Sequence, residues 1–350
     1  MLKWLRGFLA GLFAIIVLIS VAGGGWLYAL LKTPTQNTET VVVDIERGSS
    51  FKTVVRQLAD LEVYPHSEFL WYWARLHQQT AVRAGEYAIA PNLSVEDLLA
   101  LLNSDTVVQH RLTFIEGWTF RQWRDALARE HRLIQHLPEL TDSELAHHLG
   151  LPTGYPEGWF YPDTYAFARG STDLDLLARA HQKMLEQLDS LWTQRSPDAM
   201  VKTPYEALIL ASIIEAETGA DWERGEIAGV FSRRLQLGMR LQADPTVIYG
   251  MGDTFTGRLL RRDLQAPTPW NTYTRSGLPK TPIAMPGTAS IRAALNPAPG
   301  DALYFVARGD GTHHFSASLA EHNAAVARYQ RQRREDYRSF PPPTPPEVTP

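Results

Sequence analysis

Cysteine is absent from the 350 residues, so disulfide frameworks, thiolate catalysis, Cys-ligated zinc and iron–sulfur clusters are excluded. Charge of one sign is scarce as well. The 34 Lys and Arg against 38 Asp and Glu leave a net charge of −4, which provides no basic field for a general nucleic-acid binder. No Walker loop, G-x-G-x-x-G turn, H-E-x-x-H helix or G-x-S-x-G elbow occurs, so the common nucleotide-binding, metalloprotease and hydrolase signatures are missing. What remains is an ordinary globular composition, 44% hydrophobic and 21% charged, at a length that suggests two domains.

The first positive signal is the run from Gly7 to Leu31, which carries no formal charge. At a helical rise of about 1.5 Å per residue it exceeds a hydrocarbon core of about 30 Å, so it can span a membrane with some tilt. Lys3 and Arg6 precede it, Lys32 follows it, and Trp4, Trp26 and Tyr28 sit near its ends, where interfacial aromatics are expected. The positive-inside bias places residues 1–6 in the cytoplasm, residues 7–31 in the membrane and the rest outside. A cleaved signal peptide is the competing reading, with Leu12 to Val21 as its apolar core and Val21-Ala22-Gly23 near the cut. Apolar character continues through Leu31, too far for a typical signal, and favours an anchor.

Residues 32–40 read as a polar linker. Residues 41–105 then read as a small α+β module: a strand at Val41 to Ile45, a helix capped by Ser50, and a helix from about Ser67 to His77. A strand at Glu86 to Ile89 and a helix opened by Ser94 complete it. The Gly48-to-Phe51 start recurs around Gly117 to Phe120, as a duplicated unit or simply as a common helix start. From about Glu116 to Arg328 the chain reads mainly as helices, with strand-like runs at Ala302 to Ala307 and His313 to Ser316. Residues 336–350 are a Pro-rich tail read as disordered. The expected class is α+β, with a single N-terminal transmembrane helix and a helix-rich second domain.

The histidine pairs His147-His148 and His313-His314 lack a third ligand in sequence, and surface or packing roles are expected rather than a metal site. The segment from Thr203 to Thr218 carries more chemistry. Thr203 and Glu206 have capping-box spacing, with Pro204 at the first helical position. At 100° per residue, Leu210, Ile213 and Ile214 share a face with Glu217, while Glu215 falls on the other side with Leu208, Ala211 and Ser212. Desolvation there would raise the Glu217 pKa, as a general acid near neutral pH requires. The alternative makes one glutamate a solvated residue and the other an ion-pair partner, with Arg224 the available cation. Polar and aromatic runs at Arg240 to Thr246 and Trp270 to Pro279 suit sugar recognition, and equally suit ordinary turn chemistry.

At these residues the chain closely resembles the endolytic murein transglycosylases of the YceG-like family, bacterial inner-membrane enzymes that cleave peptidoglycan glycan strands. The stretches that carry the resemblance are Glu157 to Tyr165, Ala211 to Thr218, Arg240 to Gly252, Asn271 to Tyr273 and Gly277 to Pro279. Tyr304 to Val306, and His313 with Glu321-His322-Asn323, complete the set. They lie in family order over roughly Val41 to Tyr329. The resemblance implies that the module at 41–105 is LysM-like and that 106–335 is the catalytic domain. In the family's pair of glutamates separated by one residue the second is catalytic, which maps onto Glu217, with Glu215 supporting. The residues between Thr218 and Glu223 depart from the family pattern.

The implied reaction cuts the β-1,4 bond between N-acetylmuramic acid and N-acetylglucosamine without water and leaves a 1,6-anhydro end. Because the nucleophile belongs to the substrate, one acid/base suffices where most glycosidases need two carboxylates. Arg240, Gln242, Asp244, Thr246, Asn271 and Tyr273 are the candidates for supporting residues or the cleft lining. No metal or cofactor is implied. Expected partners are glycan strands, the membrane and peptidoglycan synthases of elongation or division, with no nucleic acid. Two rivals stay open: a muramidase using Asp244 or Asp163 as second carboxylate, and a membrane-tethered peptidoglycan-binding scaffold without catalysis.

Overall fold

The computed structural model describes residues 2–104 and 106–331; the Pro-rich tail expected at 336–350 lies outside them. The chain mixes helix and strand and divides into two compact units, residues 1–111 with 166–171, and residues 112–165 with 172–350.

The first unit opens with α1 (Leu2–Lys32). Among the described residues, its stretch Gly7–Lys32 is the one helical segment long and apolar enough to cross a membrane. Strand β1 (Val41–Ile45), helices α2 (Phe51–Asp60) and α3 (Ser67–Leu76), strand β2 (Gly85–Ile89) and helix α4 (Val95–Asn103) follow. The two strands pair antiparallel, with Val43 opposite Tyr87. Alternate residues Val43, Ile45, Tyr87 and Ile89 therefore point inward onto Val54, Leu58, Leu70, Leu98 and Leu102. The helix starts are local chemistry: the Ser50 and Ser94 hydroxyls accept from Thr53 N–H and Asp97 N–H. The segment expected as a linker is tied down, because Thr35 is buried and its hydroxyl donates to Ala90 O and accepts from Leu93 N–H.

Strand β3 (Gln109–Thr113) pairs with β4 (Thr164–Ala168), and the division into units falls within these strands. Between them lie α5 (Phe120–Arg129) and α6 (Asp142–His148), each opened by a reciprocal capping box, from Thr119 and Thr141 respectively. The repeated helix start has a physical basis: Gly48 and Gly117 both adopt positive φ, 86° and 80°, two residues before the cap. Only glycine enters that region without strain.

The second unit is built around α8 (Pro204–Glu217), packed by α7 (Asp173–Trp192), α9 (Arg224–Gln236) and α12 (Thr288–Leu295). Every residue from Ala207 to Ile214 is buried. Such a helix is apolar all round rather than amphipathic, so burial does not single out the face that the helical wheel assigned to Glu217. Its N-terminus differs slightly from the expected box. Thr203 caps Glu206 N–H, but the Glu206 carboxylate reaches back to Lys202 N–H at 2.6 Å instead of to the cap residue. Helices α10 (Asp244–Met251) and α11 (Arg261–Gln265), the antiparallel hairpin β5 (Tyr304–Ala307) and β6 (His313–Ser316), and α13 (Leu319–Val326) complete the unit.

Candidate active site

Helix α8 ends at the candidate residues, and the two glutamates meet different surroundings. Glu215, 5% exposed at its side chain, takes Arg224 Nη2 at 3.0 Å. Its other oxygen accepts from Gly287 N–H at 2.9 Å, at the start of α12. Arg224 is equally buried, pairs also with Asp221, and donates from Nε to Ser290 Oγ at 3.0 Å. Glu215 is thus a buried ion-pair partner that joins α8, α9 and α12.

Glu217 has no such partner among the described residues. It is partly buried at the end of α8 and lines a cavity of about 630 Å³. Burial pushes its carboxyl up to about 8, the nearby charge of Asp244 pushes the same way, and the Arg234 guanidinium opposes both. A carboxylic acid so placed keeps its proton at neutral pH and can give it to a ligand in the cavity.

Of the residues expected to line this space, Gln242, Asp244 and Tyr273 do. The Tyr273 hydroxyl donates to Asp244 Oδ1 at 2.6 Å. Gln242 has φ of 53°, the left-handed region that a glutamine rarely enters. Thr246 and Asn271 are fully buried and build the loops instead. Thr246 Oγ1 and Thr272 Oγ1 bond at 2.9 Å, and Thr272 also takes Ala243 N–H. Asn271 Nδ2 donates to the carbonyls of Asp263, Leu264 and Ala266, and its Oδ1 accepts from Tyr273 N–H. Arg240 braces the same loop through Tyr273 O at 2.9 Å. These three hold the backbone that aims Gln242, Asp244 and Tyr273. Asp163 lies elsewhere, paired with Lys183.

Arg234, Tyr304, His313 and His322 also line the cavity, although composition and periodicity gave none of them a cleft role and left the pair His313-His314 to surface or packing. Arg234 is buried and donates to Leu303 O and Leu241 O, so its charge stands beside Glu217 while its donors fix the wall. His313 is held from behind by Glu223, whose oxygens meet its backbone N–H and ring Nδ1, both at 2.8 Å. The signal for Tyr304, His313 and His322 was their place in the family stretches. Among the described residues no group of three or more His, Asp or Glu side chains converges as a metal site would.

The profile of the YceG-like family matches residues 43–328. This chain belongs to the YceG-like family. The family member named endolytic murein transglycosylase in Bacillus subtilis is 30% identical over 338 residues, which cover 90% of this chain and 92% of that one. The Streptococcus pneumoniae protein of the same name is 26% identical, over 93% of this chain and 65% of that protein. The crystal structure of a YceG-like protein from Listeria monocytogenes superposes with a TM-score of 0.51 at 27% identity, covering 82% of this chain and 99% of that one.

Proposed function

We propose that this chain is an endolytic murein transglycosylase, a lyase that cleaves peptidoglycan glycan strands with Glu217 as the single acid/base. The observation that carries the reading is the Glu217 carboxyl, raised to about 8 at the wall of a cavity large enough for several sugar rings. The name shared by the Bacillus subtilis and Streptococcus pneumoniae relatives supports the substrate class.

In the proposed reaction the Glu217 acid protonates the glycosidic oxygen as the bond from the muramic anomeric carbon breaks. The resulting carboxylate takes the proton of the muramic C6 hydroxyl while that oxygen bonds to the same anomeric carbon. One C–O bond is lost, one is made, Glu217 ends protonated, and no water is consumed. The product carries a 1,6-anhydro end. The substrate supplies its own nucleophile at high effective concentration, so a second carboxylate is not required. Asp244 is in place to tune Glu217, and Gln242 and Tyr273 face the same space.

Residues 7–31 anchor the chain in the inner membrane, with 1–6 cytoplasmic and the rest periplasmic. Residues 41–105 form a LysM-like binding module, and 106–335 the catalytic domain. The strand–helix–helix–strand order of the first unit, with its own core, supports the module. Cutting strands from the membrane surface would terminate nascent glycan, beside the synthases that make it.

The test is mass spectrometry of fragments released from purified peptidoglycan by the protein and by its Glu217→Gln variant. Fragments one water lighter than hydrolysis products, without reducible ends and absent with the variant, are expected. Reducible ends would replace the reading with a muramidase, and intact glycan beside retained binding would replace it with a scaffold.

A further inference from the structure

The Glu217 cavity has a neighbour in the same unit. A second cavity, of about 750 Å³, opens at the other end of α10. Its wall contains an unusual element, Glu157, which is 5% exposed. One Glu157 oxygen accepts from Phe120 N–H at 2.9 Å, and the other accepts from the Tyr249 hydroxyl at 2.9 Å. Burying a carboxyl is costly; here it fixes one aromatic ring. Tyr249 in turn meets Trp270 edge-on, with centroids 5.4 Å apart and planes at 69°. Trp270 is locked in turn by Nε1 donating to Thr281 Oγ1 at 2.8 Å. Tyr155, 41% exposed, stands at the rim.

Two rings held by hydrogen bonds at their polar ends are preorganised platforms. They suit a ligand that has flat apolar faces edged with hydroxyls and amides, as a pyranose has. The size lies within the usual range of ligand sites. The two cavities also share their walls. Helix α10 places Asp244 in the Glu217 cavity and Tyr249 to Met251 in the second, about 10 Å away at 1.5 Å per residue. The following loop repeats the arrangement, with Trp270 in the second cavity and Tyr273 in the first. A ligand that occupies both must be an extended chain.

We propose that this second cavity is a saccharide subsite that grips the same glycan strand a few sugar units away from Glu217, with Tyr249, Trp270 and Tyr155 as its stacking surfaces and Glu157 as the residue that positions Tyr249. The inference rests on the glycan-cleaving reading. It makes the enzyme's affinity depend on strand length, because short oligomers reach one cavity and longer ones both.

The test measures calorimetric binding of oligomers of alternating N-acetylglucosamine and N-acetylmuramic acid, from disaccharide to octasaccharide and both with and without stem peptides, to the full chain carrying Glu217→Gln. Affinity should rise with length and then level. Adding Tyr155→Ala, at an exposed position where folding is least at risk, or Tyr249→Phe, should weaken the octasaccharide about tenfold and leave the disaccharide unchanged. Equal weakening at all lengths, or none, overturns the subsite. Length dependence that appears only when the sugars carry stem peptides assigns the cavity to the peptide and also overturns it. Failure of every oligomer to bind, with thermal melting intact, removes the glycan reading itself, and the subsite falls with it.

Discussion

The Tyr273 hydroxyl donates a hydrogen bond to Asp244 Oδ1 at 2.6 Å, and the charge of Asp244 in turn raises Glu217. The aspartate that could pass for a second catalytic carboxylate is thus engaged by a tyrosine, and its influence on Glu217 is electrostatic. This arrangement separates one-carboxylate from two-carboxylate chemistry by experiment.

Asp244→Asn removes a negative charge beside Glu217 and should lower the Glu217 pKa, because a like charge disfavours ionisation. The alkaline limb of the pH–rate profile should move down by about one unit, with cleavage at pH 6 retained within a few-fold. A muramidase using Asp244 to activate water would instead lose about 10²-fold or more at every pH.

Glu217→Gln should reduce cleavage by about 10²- to 10⁴-fold while raising stability above neutral pH. The sign follows from the raised pKa. A group near 8 when folded and 4.5 when unfolded stabilises the fold fully below about 4.5, and that contribution is lost as the pH rises through about 8. Glutamine is neutral throughout, so the variant and the wild type should melt together at pH 4. At pH 8 the variant should melt several degrees higher. Equal melting at both pH values would mean that Glu217 is not desolvated.

Glu215→Ala should destabilise the second unit by about 3–5 kcal/mol, because it strands the buried Arg224 charge and leaves Gly287 N–H without its acceptor. Urea denaturation followed by tryptophan fluorescence would measure it. Activity per folded molecule should fall far less than with Glu217→Gln. A loss as deep as that variant's would make Glu215 part of the chemistry.

The local features were legible because they are set by residues within one turn of each other. Ser50, Ser94 and Thr203 cap helices whose spacing announced them, and β5 and β6 lie within or at the predicted runs. The helical wheel favoured Glu217 for its apolar face, yet α8 is buried all round, and what distinguishes the two glutamates is their partners. Arg224, nine residues on, was the cation the sequence offered for one of them, and it pairs with Glu215. Other pairings span far more chain: Glu223 reaches His313 across 90 residues, and Glu157 meets Tyr249 across 92. No periodicity records such pairings. Arg234 was invisible for the same reason: an arginine on a helix reads as solvated until the strand and loop carbonyls that take its donors are in place.

Gly158 gives a steric test of how tightly the Glu157 segment is built. Its φ is 84°, and a methyl group there would lie 2.4 Å from Pro282 Cγ and 2.5 Å from Pro282 Cβ, a ring that cannot swing aside. Its N–H also points to Met285 Sδ at 3.2 Å. Gly158→Ala combines the left-handed penalty of about 1–2 kcal/mol with overpacking of about 1–3 kcal/mol. A total near 3 kcal/mol should appear as a lower urea midpoint with an unchanged slope. The displaced backbone would carry Glu157 with it, so Tyr249 should lose its fixed orientation before the rest of the unit loosens. A change in Trp270 fluorescence below the main transition would report that, and a variant as stable as wild type would show that the segment has room to shift.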